Sequence, residues 1–133
     1  MKWYIHCIKN YANFSGRARR KEYWMFFLFN LFVFFILGII SNLISDIFGT
    51  EESFLLIGAY GLFIIIPHIA CAVRRLHDIN KSGVYWFVRF IPLIGPIWLL
   101  ILLVEDSWDG QNKYGANPKN LYNDDEINFI GKE

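Results

Sequence analysis

Hydrophobic residues gather in three long runs along the chain instead of recurring at the intervals of a soluble helix or strand. Residues 23–44 form an uncharged run of 22, and residues 54–73 form an uncharged run of 20. At about 1.5 Å per residue, the first run reaches roughly 33 Å, enough to cross a hydrocarbon core of about 30 Å. Both runs predict transmembrane helices. Burial inside a soluble core is the weaker interpretation, because 133 residues leave little protein to surround two such helices.

The third run, residues 84–104, is interrupted by Arg89, Pro92, Gly95 and Pro96. It fits a kinked span in which the Arg89 side chain reaches back to the headgroups. It also fits a re-entrant pair of half-helices that enters the membrane and returns. We expect the full span, because the unpaired backbone of a re-entrant turn needs protein or water around it and only two other helices are available.

The segment before the first run has a helical period. Its apolar side chains share one stripe, and its lysines and asparagines occupy the other side. This pattern predicts a short amphipathic helix in the membrane interface, although a helix packed on another protein would show it too. The segment lacks the continuous apolar region of a signal peptide. The residues of the apolar stripe are Trp3, Tyr4, Cys7, Ile8, Tyr11 and Phe14.

The predicted fold class is therefore an all-α membrane protein. It has about three transmembrane helices, the third interrupted by proline and glycine, and an N-terminal amphipathic interfacial helix. Residues 1–118 form one integral membrane domain, and residues 119–133 form a flexible acidic tail.

Basic residues are distributed unevenly between the loops. Six precede the first run and three follow the second, whereas the loop between the runs has three acidic residues and no basic one. The positive-inside bias predicts a cytoplasmic N-terminus and a cytoplasmic loop at residues 74–83. Three full spans would then export residues 105–133. Cys7 and Cys71 would face the reducing side, where free thiols are expected.

Composition agrees with a membrane location. Hydrophobic residues make up 55% of the chain and charged residues 19%, against about 25% charged in soluble domains. These values exclude a disordered chain and a disulfide-stapled secreted module. The basic residues lie at predicted membrane boundaries, where topology already explains them, so we expect no nucleic-acid binding.

Three polar motifs flank the apolar runs: FSGRARRKEYW at 14–24, RRLHDINKSG at 74–83 and GQNKYGANP at 110–118. In this order and around these runs, the chain resembles the domain-of-unknown-function 805 family of bacterial inner-membrane proteins over nearly its whole length. One departure is Val84, where the family more often places tryptophan. The resemblance implies a small multi-span protein of the bacterial inner membrane. It brings no established activity, cofactor or catalytic residue.

Charged residues of the first two motifs are the candidate site for lipid headgroups or a protein partner. Ser15 is a plausible N-cap for a helix that runs from Gly16 into the first span. Cations at a helix start oppose its dipole, which suggests partners such as lipid phosphates or Glu22, although topogenic charge explains most of the pattern. We expect Asp78 to pair with an arginine of the first motif. The candidate residues are Arg17, Arg19, Arg20, Lys21, Arg74, Arg75, His77 and Asp78.

No catalytic constellation, cofactor motif or complete metal site is visible in the sequence. His68 and Cys71 are spaced i, i+3 on one helix face, but two ligands do not make a site. The residues after Glu105 begin like a calcium loop, yet Ala116 stands where the closing acid should be. We therefore expect no cofactor and no metal.

Three functions are compatible with this pattern. The leading hypothesis is a non-enzymatic membrane component that binds anionic lipids or another protein at its basic cytoplasmic face. A second is a subunit of an oligomeric small transporter or channel, with a polar path from Asn30, Asn42, His68 and Arg89. The third is an enzyme acting on a lipid or phosphate group, with residues 74–78 as its only candidate cluster. The bilayer, a second copy of the chain and another membrane protein are the possible partners.

Overall fold

The computed structural model describes residues 2–49 and 54–119. The described part of the chain has no β-strand, and its secondary structure is helical apart from one isolated bridge. The predicted flexible tail lies outside the described residues, except for Lys119 at its start. In chain order the elements are α1 (Lys2–Lys9), α2 (Arg20–Phe48), α3 (Phe54–Asp78), a 3₁₀ helix (Gly83–Phe90) and α4 (Ile94–Val104).

Helices α2 and α3 are both long and apolar enough to cross a membrane, and they contain the first two predicted spans. They pack antiparallel, since Glu22 near the start of α2 pairs with Arg74 near the end of α3. Most of their large apolar side chains are exposed, including Phe35 and Leu62. A lipid environment suits such a surface, because water would have to solvate the whole of it.

A hydrogen bond links the middles of α2 and α3. The Tyr60 hydroxyl donates to Asn30 Oδ1, and Asn30 Nδ2 donates to the Phe26 carbonyl at 2.7 Å. The amide of Asn30 therefore has a partner at each end, although this side chain is buried between apolar residues. Such a bond fixes the register of the two helices.

Pro67 lies inside α3 and has no backbone N–H to donate to the carbonyl of Phe63, four residues earlier. The Tyr11 hydroxyl donates to this carbonyl at 2.9 Å. The segment after α1 thus satisfies the acceptor that the proline leaves without its helical donor.

The predicted N-terminal helix is present as α1, and Tyr4, Cys7 and Ile8 of its apolar stripe pack on its own chain. The Tyr4 ring lies 5.4 Å from the Phe26 ring and 4.2 Å from the Phe29 ring of α2, centroid to centroid. Cys7 is fully buried against Cys71 of α3. The helix is therefore part of the protein core at this end, and its position in a membrane interface stays a prediction.

The expected N-cap at Ser15 is wrong. Helix α2 begins at Arg20, and its N-cap is Arg19, which makes no side-chain capping bond. The preceding chain is held in another course: Gly16 has a left-handed φ of 85°, and the Ala18 amide donates to the Arg74 carbonyl at 3.0 Å. Contacts with α3 therefore override the local helix signal.

Residues 84–104 do not form the one interrupted helix that the expected full span requires. The 3₁₀ helix and α4 pack against each other as a hairpin, and both ends of this hairpin lie beside the last turns of α3. Gly83 approaches Val73, while Leu103 accepts a hydrogen bond from Arg75. This backbone path has the shape of the re-entrant alternative, and its entry into a membrane stays a prediction.

Three local features produce the reversal within this hairpin. Pro92 follows the 3₁₀ helix, and Leu93 adopts a φ of 65°, which is rare for a leucine. Gly95 then packs so closely on the backbone of the 3₁₀ helix that a Cβ atom would overlap the Val88 carbonyl oxygen. A side chain at this position would force the two halves apart.

We expect Gly95→Ala to lower the free energy of unfolding by about 1–3 kcal/mol through this overlap. Gly58→Ala in α3 is the matched control, because its Cβ would meet nothing within 4 Å, and it should stay within about 1 kcal/mol of the wild type. Thermal unfolding in mild detergent measures both. Equal stability of the two variants would contradict the close packing of the hairpin.

Candidate functional site

Asp78, at the end of α3, is the centre of a buried ionic cluster. Its side chain is 0% exposed. Its Oδ1 accepts a hydrogen bond from Arg17 Nε at 2.9 Å, and its Oδ2 accepts one from Arg75 Nη1 at 2.7 Å. The Ser107 hydroxyl also donates to Oδ2. The expected pairing of Asp78 with an arginine of the first motif is thus confirmed.

Arg17 links the Asp78 cluster to the third motif. Its Nη2 donates to the Trp108 carbonyl at 2.6 Å, and its Nη1 donates to the carbonyls of Gly110 at 2.7 Å and Gly115 at 3.2 Å. A planar guanidinium with five donors suits this task, since it satisfies several carbonyls and a carboxylate at once. One side chain therefore positions the whole turn after α4.

Arg75 performs the same function at the end of α4. Its Nε donates to the Leu103 carbonyl at 3.1 Å, and its Nη2 donates to the Glu105 carbonyl. The last carbonyls of a helix have no partner within that helix. Arg75 supplies a donor to one of them, that of Leu103, and to the carbonyl of the C-cap residue Glu105, and so closes the hairpin onto α3.

His77 joins the motifs on the outer side of the cluster. Its ring stacks on Tyr114 with the centroids 3.8 Å apart, and its Nδ1 lies 3.3 Å from the Gly16 carbonyl oxygen. Asn112 Nδ2 donates to the His77 carbonyl at 2.9 Å. All three motifs thus form one unit, which we call the polar cap: residues 14–24, 74–83 and 105–118.

A second buried group adjoins the Asp78 cluster, with Glu22 and Arg74 as its members from the polar cap. Glu22 Oε1 accepts a hydrogen bond from Arg74 Nη1 at 2.8 Å and lies 3.1 Å from His6 Nδ1. Cys7 Sγ is 3.4 Å from the same oxygen and 3.1 Å from Cys71 Sγ. Glu22 therefore pairs with a cation from α3, whereas the sequence suggested it as a partner for the basic residues of its own motif. We call Cys7, Glu22 and Cys71 the thiol–carboxylate cluster.

The candidate residues thus divide by exposure. Arg17, Arg74, Arg75 and Asp78 are buried, and Arg19 and His77 are half-buried. Arg20 and Lys21 are exposed, although Arg20 also donates to the Val104 carbonyl at 3.1 Å. The exposed Arg20 also lies 3.5 Å from the Asp106 carboxylate. Hydrogen bonds from the Lys119 side chain and from the Ser107 amide lower the pKa of Asp106.

This division bears on the enzymatic hypothesis. Both oxygens of Asp78 already have donors, and its side chain is closed to solvent. The guanidinium of Arg75 is likewise bound to a carboxylate and two carbonyls. A substrate phosphate would have to displace these buried partners, at a cost of several kcal/mol per unpaired charge. In the folded protein the cluster therefore connects separate segments of the chain and stabilises the fold.

A cleft of 340 Å³ opens between α2, α3 and the hairpin. Arg89 contributes a guanidinium, which lies 4.8 Å from the Trp86 ring centroid, and His68 packs among the rings of α2. The other lining side chains are apolar or aromatic, apart from the Tyr23 hydroxyl and the Trp24 and Trp86 indoles. The lining residues are Tyr23, Trp24, Phe27, His68, Ala72, Trp86, Arg89, Pro96, Leu99, Leu100 and Leu103.

The four polar residues considered for a transport path do not share one surface of the chain. His68 and Arg89 line the cleft. Asn30 is buried in its bond with Tyr60, and Asn42 is exposed and donates to Gly38 of its own helix at 2.7 Å. A continuous polar path would therefore need more than these four side chains in one copy of the chain.

Two residues of the polar cap, Glu22 and Ser107, were not among the candidate site residues predicted from the sequence. Glu22 is a single acid within a basic motif, and Ser107 is an unremarkable serine after the last apolar run. The second motif could have indicated Glu22. It has two adjacent arginines at a membrane boundary but a single acid, Asp78, so a second acid is needed to pair with them. Nothing in the sequence indicates Ser107.

A double-mutant cycle tests the core of the polar cap. Asp78→Asn and Arg17→Ala should each destabilise the protein by about 3–5 kcal/mol, with a coupling energy of about 1–3 kcal/mol between them. The control cycle uses Arg20 and Asp106, which are 46% and 59% exposed; its coupling should stay below about 1 kcal/mol. Thermal unfolding in mild detergent gives both values. Additivity at Arg17 and Asp78 would mean that the buried pair does not form.

Comparisons with known proteins agree with this architecture. Residues 11–116 match the family described as "Protein of unknown function (DUF805)". The Escherichia coli K12 protein named "Inner membrane protein YhaI" is 45% identical over 119 residues, covering 90% of this chain and 97% of that protein. "Inner membrane protein YhaH" of the same strain is 37% identical, covering 90% and 98%. No solved structure matches the chain. The family match spans the first two motifs, residues 110–116 of the third and the helices between them, and the chain belongs to the DUF805 family.

Proposed function

We propose that this protein is a non-enzymatic, multi-pass protein of the bacterial inner membrane that binds an anionic phospholipid in the cleft beside Arg89. The cleft is the observation that carries the proposal. It combines an apolar and aromatic lining with one guanidinium, which matches the two chemical parts of such a lipid.

Three observations support the membrane part of the proposal. Two relatives with 45% and 37% identity bear the name of inner membrane proteins. Helices α2 and α3 have the length and apolarity of spans. Their exposed apolar side chains would otherwise form a surface far larger than soluble monomers display.

Charge supports a cytoplasmic polar cap. The first two motifs contain most of the basic residues, and the positive-inside bias assigns these to the cytoplasm. In this topology α2 and α3 cross the membrane, the hairpin of residues 83–104 enters and returns, and the third motif stays with the other two. The hairpin ends held by Arg75 favour this path over export of residues 105–133.

The lipid would lie with its phosphate at Arg89 and its chains along the apolar wall of the cleft. Arg89 is exposed, and Phe90 and Trp86 flank its guanidinium. Pro96 and Leu100 on the opposite wall are exposed as well, next to Ile97 and Ile101. A lipid could therefore enter sideways from the bilayer, whereas a soluble anion would gain nothing from these apolar walls.

This site differs from the one that the sequence indicated. The buried arginines of the polar cap are engaged with Asp78, Glu22 and backbone carbonyls. Arg20 and Lys21 remain exposed on the basic side and would add general attraction to anionic headgroups, worth about 1 kcal/mol each. We therefore assign specific lipid binding to the cleft beside Arg89 and not to the polar cap.

Topology is tested by reporters placed after residue 133. A fluorescent protein should be bright there and alkaline phosphatase inactive, because the proposed path returns the chain to the cytoplasm. The control fusion is placed in the loop between α2 and α3, where phosphatase should be active. An active phosphatase after residue 133 would refute the re-entrant path.

Lipid binding is tested by native mass spectrometry of the protein in mild detergent with added phosphatidylglycerol or phosphatidylcholine. The wild type should retain phosphatidylglycerol preferentially, and Arg89→Ala should weaken this retention about fivefold, the equivalent of about 1 kcal/mol. Lys113→Ala is the control, since Lys113 is exposed but lies outside the cleft. Equal retention of both lipids, or an unchanged Arg89→Ala variant, would contradict the proposal.

A further inference from the structure

The thiol–carboxylate cluster brings together three potential metal ligands from three helices. Cys7 comes from α1, Glu22 from α2 and Cys71 from α3, and all three residues are fully buried. Their ligand atoms lie within 4.8 Å of one another. Buried thiols next to a carboxylate form a donor set that favours a thiophilic cation.

The two oxygens of Glu22 have very different surroundings. Oε1 has three polar neighbours, namely Arg74 Nη1, His6 Nδ1 and Cys7 Sγ. Oε2 is buried and accepts no hydrogen bond from any residue that the structure describes. A buried carboxylate oxygen without a donor costs about 1–3 kcal/mol or more. It is therefore an independent sign that this place holds a ligand.

We propose that Cys7, Cys71 and Glu22 bind one divalent thiophilic cation of the zinc type. The metal takes both sulfurs and a carboxylate oxygen, which leaves a fourth position in a tetrahedral shell. His6 and Arg74, both on Oε1, hold the carboxylate in place and leave Oε2 available.

Charge balance favours a divalent ion. Glu22 and Arg74 form an ion pair of zero formal charge when both thiols are protonated. A divalent cation that binds two thiolates displaces two protons to solvent, so the formal charge of the buried group does not change. A monovalent ion would leave one negative charge uncompensated. Arg74 Nη2, 3.9 Å from Cys7 Sγ, further stabilises a thiolate.

A disulfide between Cys7 and Cys71 is the competing outcome. The sulfurs are 3.1 Å apart; a disulfide requires about 2.05 Å, and zinc with bonds of about 2.3 Å requires about 3.8 Å between them. Both states need side-chain movement of similar size. A metal bound through Glu22 Oε2 would give this buried oxygen a partner, whereas a disulfide leaves it as it is.

Cadmium titration of the full chain tests the site. The protein is purified anaerobically in mild detergent, and thiolate-to-cadmium charge-transfer absorption, proton release and bound metal are measured. We expect one Cd²⁺ per chain with about two protons released per ion, and competition by Zn²⁺. The chain has two cysteines in all, so the absorption reports on this pair.

Variants assign the ligands. Cys7→Ser and Cys71→Ser should each weaken the absorption and lower the cadmium affinity at least tenfold. Glu22→Gln should keep the absorption but lower the affinity, whereas the exposed Asp106→Asn control should change neither. Wild-type thermal unfolding with and without Cd²⁺ adds a readout that needs no variant, and binding to the native state should raise the unfolding temperature.

Three results would overturn the proposal. One is wild-type protein that shows no charge-transfer absorption and no retained metal. Another is equal metal retention by the variant that lacks both cysteines, which would indicate adventitious binding. The third is a Cys7–Cys71 disulfide that forms under the same anaerobic conditions, recognised by a mass two hydrogens lower and reversal by a reductant.

Discussion

The Asp78 carboxylate is the constraint on which the rest of the structure depends. It is fully buried at the end of α3, and it takes donors from Arg17, Arg75 and Ser107, on three separate segments of the chain. A buried charge is tolerated only with partners on all sides, because removing one partner leaves an uncompensated charge. The segment before α2 and the segment after α4 must therefore both come to this point.

This requirement bears on the two places where the structure departs from the sequence prediction: the start of α2 and the course of residues 84–104. The start of α2 is delayed to Arg20, since Arg17 is turned towards Asp78. The third apolar run reverses between Pro92 and Gly95, and Arg75 holds the far end of the hairpin beside α3 through the carbonyls of Leu103 and Glu105. In both cases hydrogen bonds from a buried arginine fix the course of the chain, whereas helix propensity contributes less than about 1 kcal/mol per residue.

The two buried ionic groups of this end differ in how completely their polar atoms are satisfied. Both oxygens of Asp78 have donors, which makes the polar cap a structural element. Glu22 keeps one oxygen without a donor and has two thiols beside it. The proposed metal site uses this oxygen and the two thiols, and the proposed lipid cleft lies at Arg89; neither requires breaking the hydrogen bonds of Asp78.

The sequence by itself determined the apolar helices, the amphipathic α1 and the family motifs, because each of these follows from local composition. It also determined that Asp78 needs an arginine, because one unpaired buried charge is costly. It did not determine the course of residues 84–104, since Pro92 and Gly95 fit a kinked span as well as a reversal. Nor did it reveal the pair of Cys7 and Cys71, which lie 64 positions apart. Only the tertiary structure decided these two points. Both depend on contacts between segments far apart in the chain, and no periodic pattern in the sequence indicates which distant segments meet.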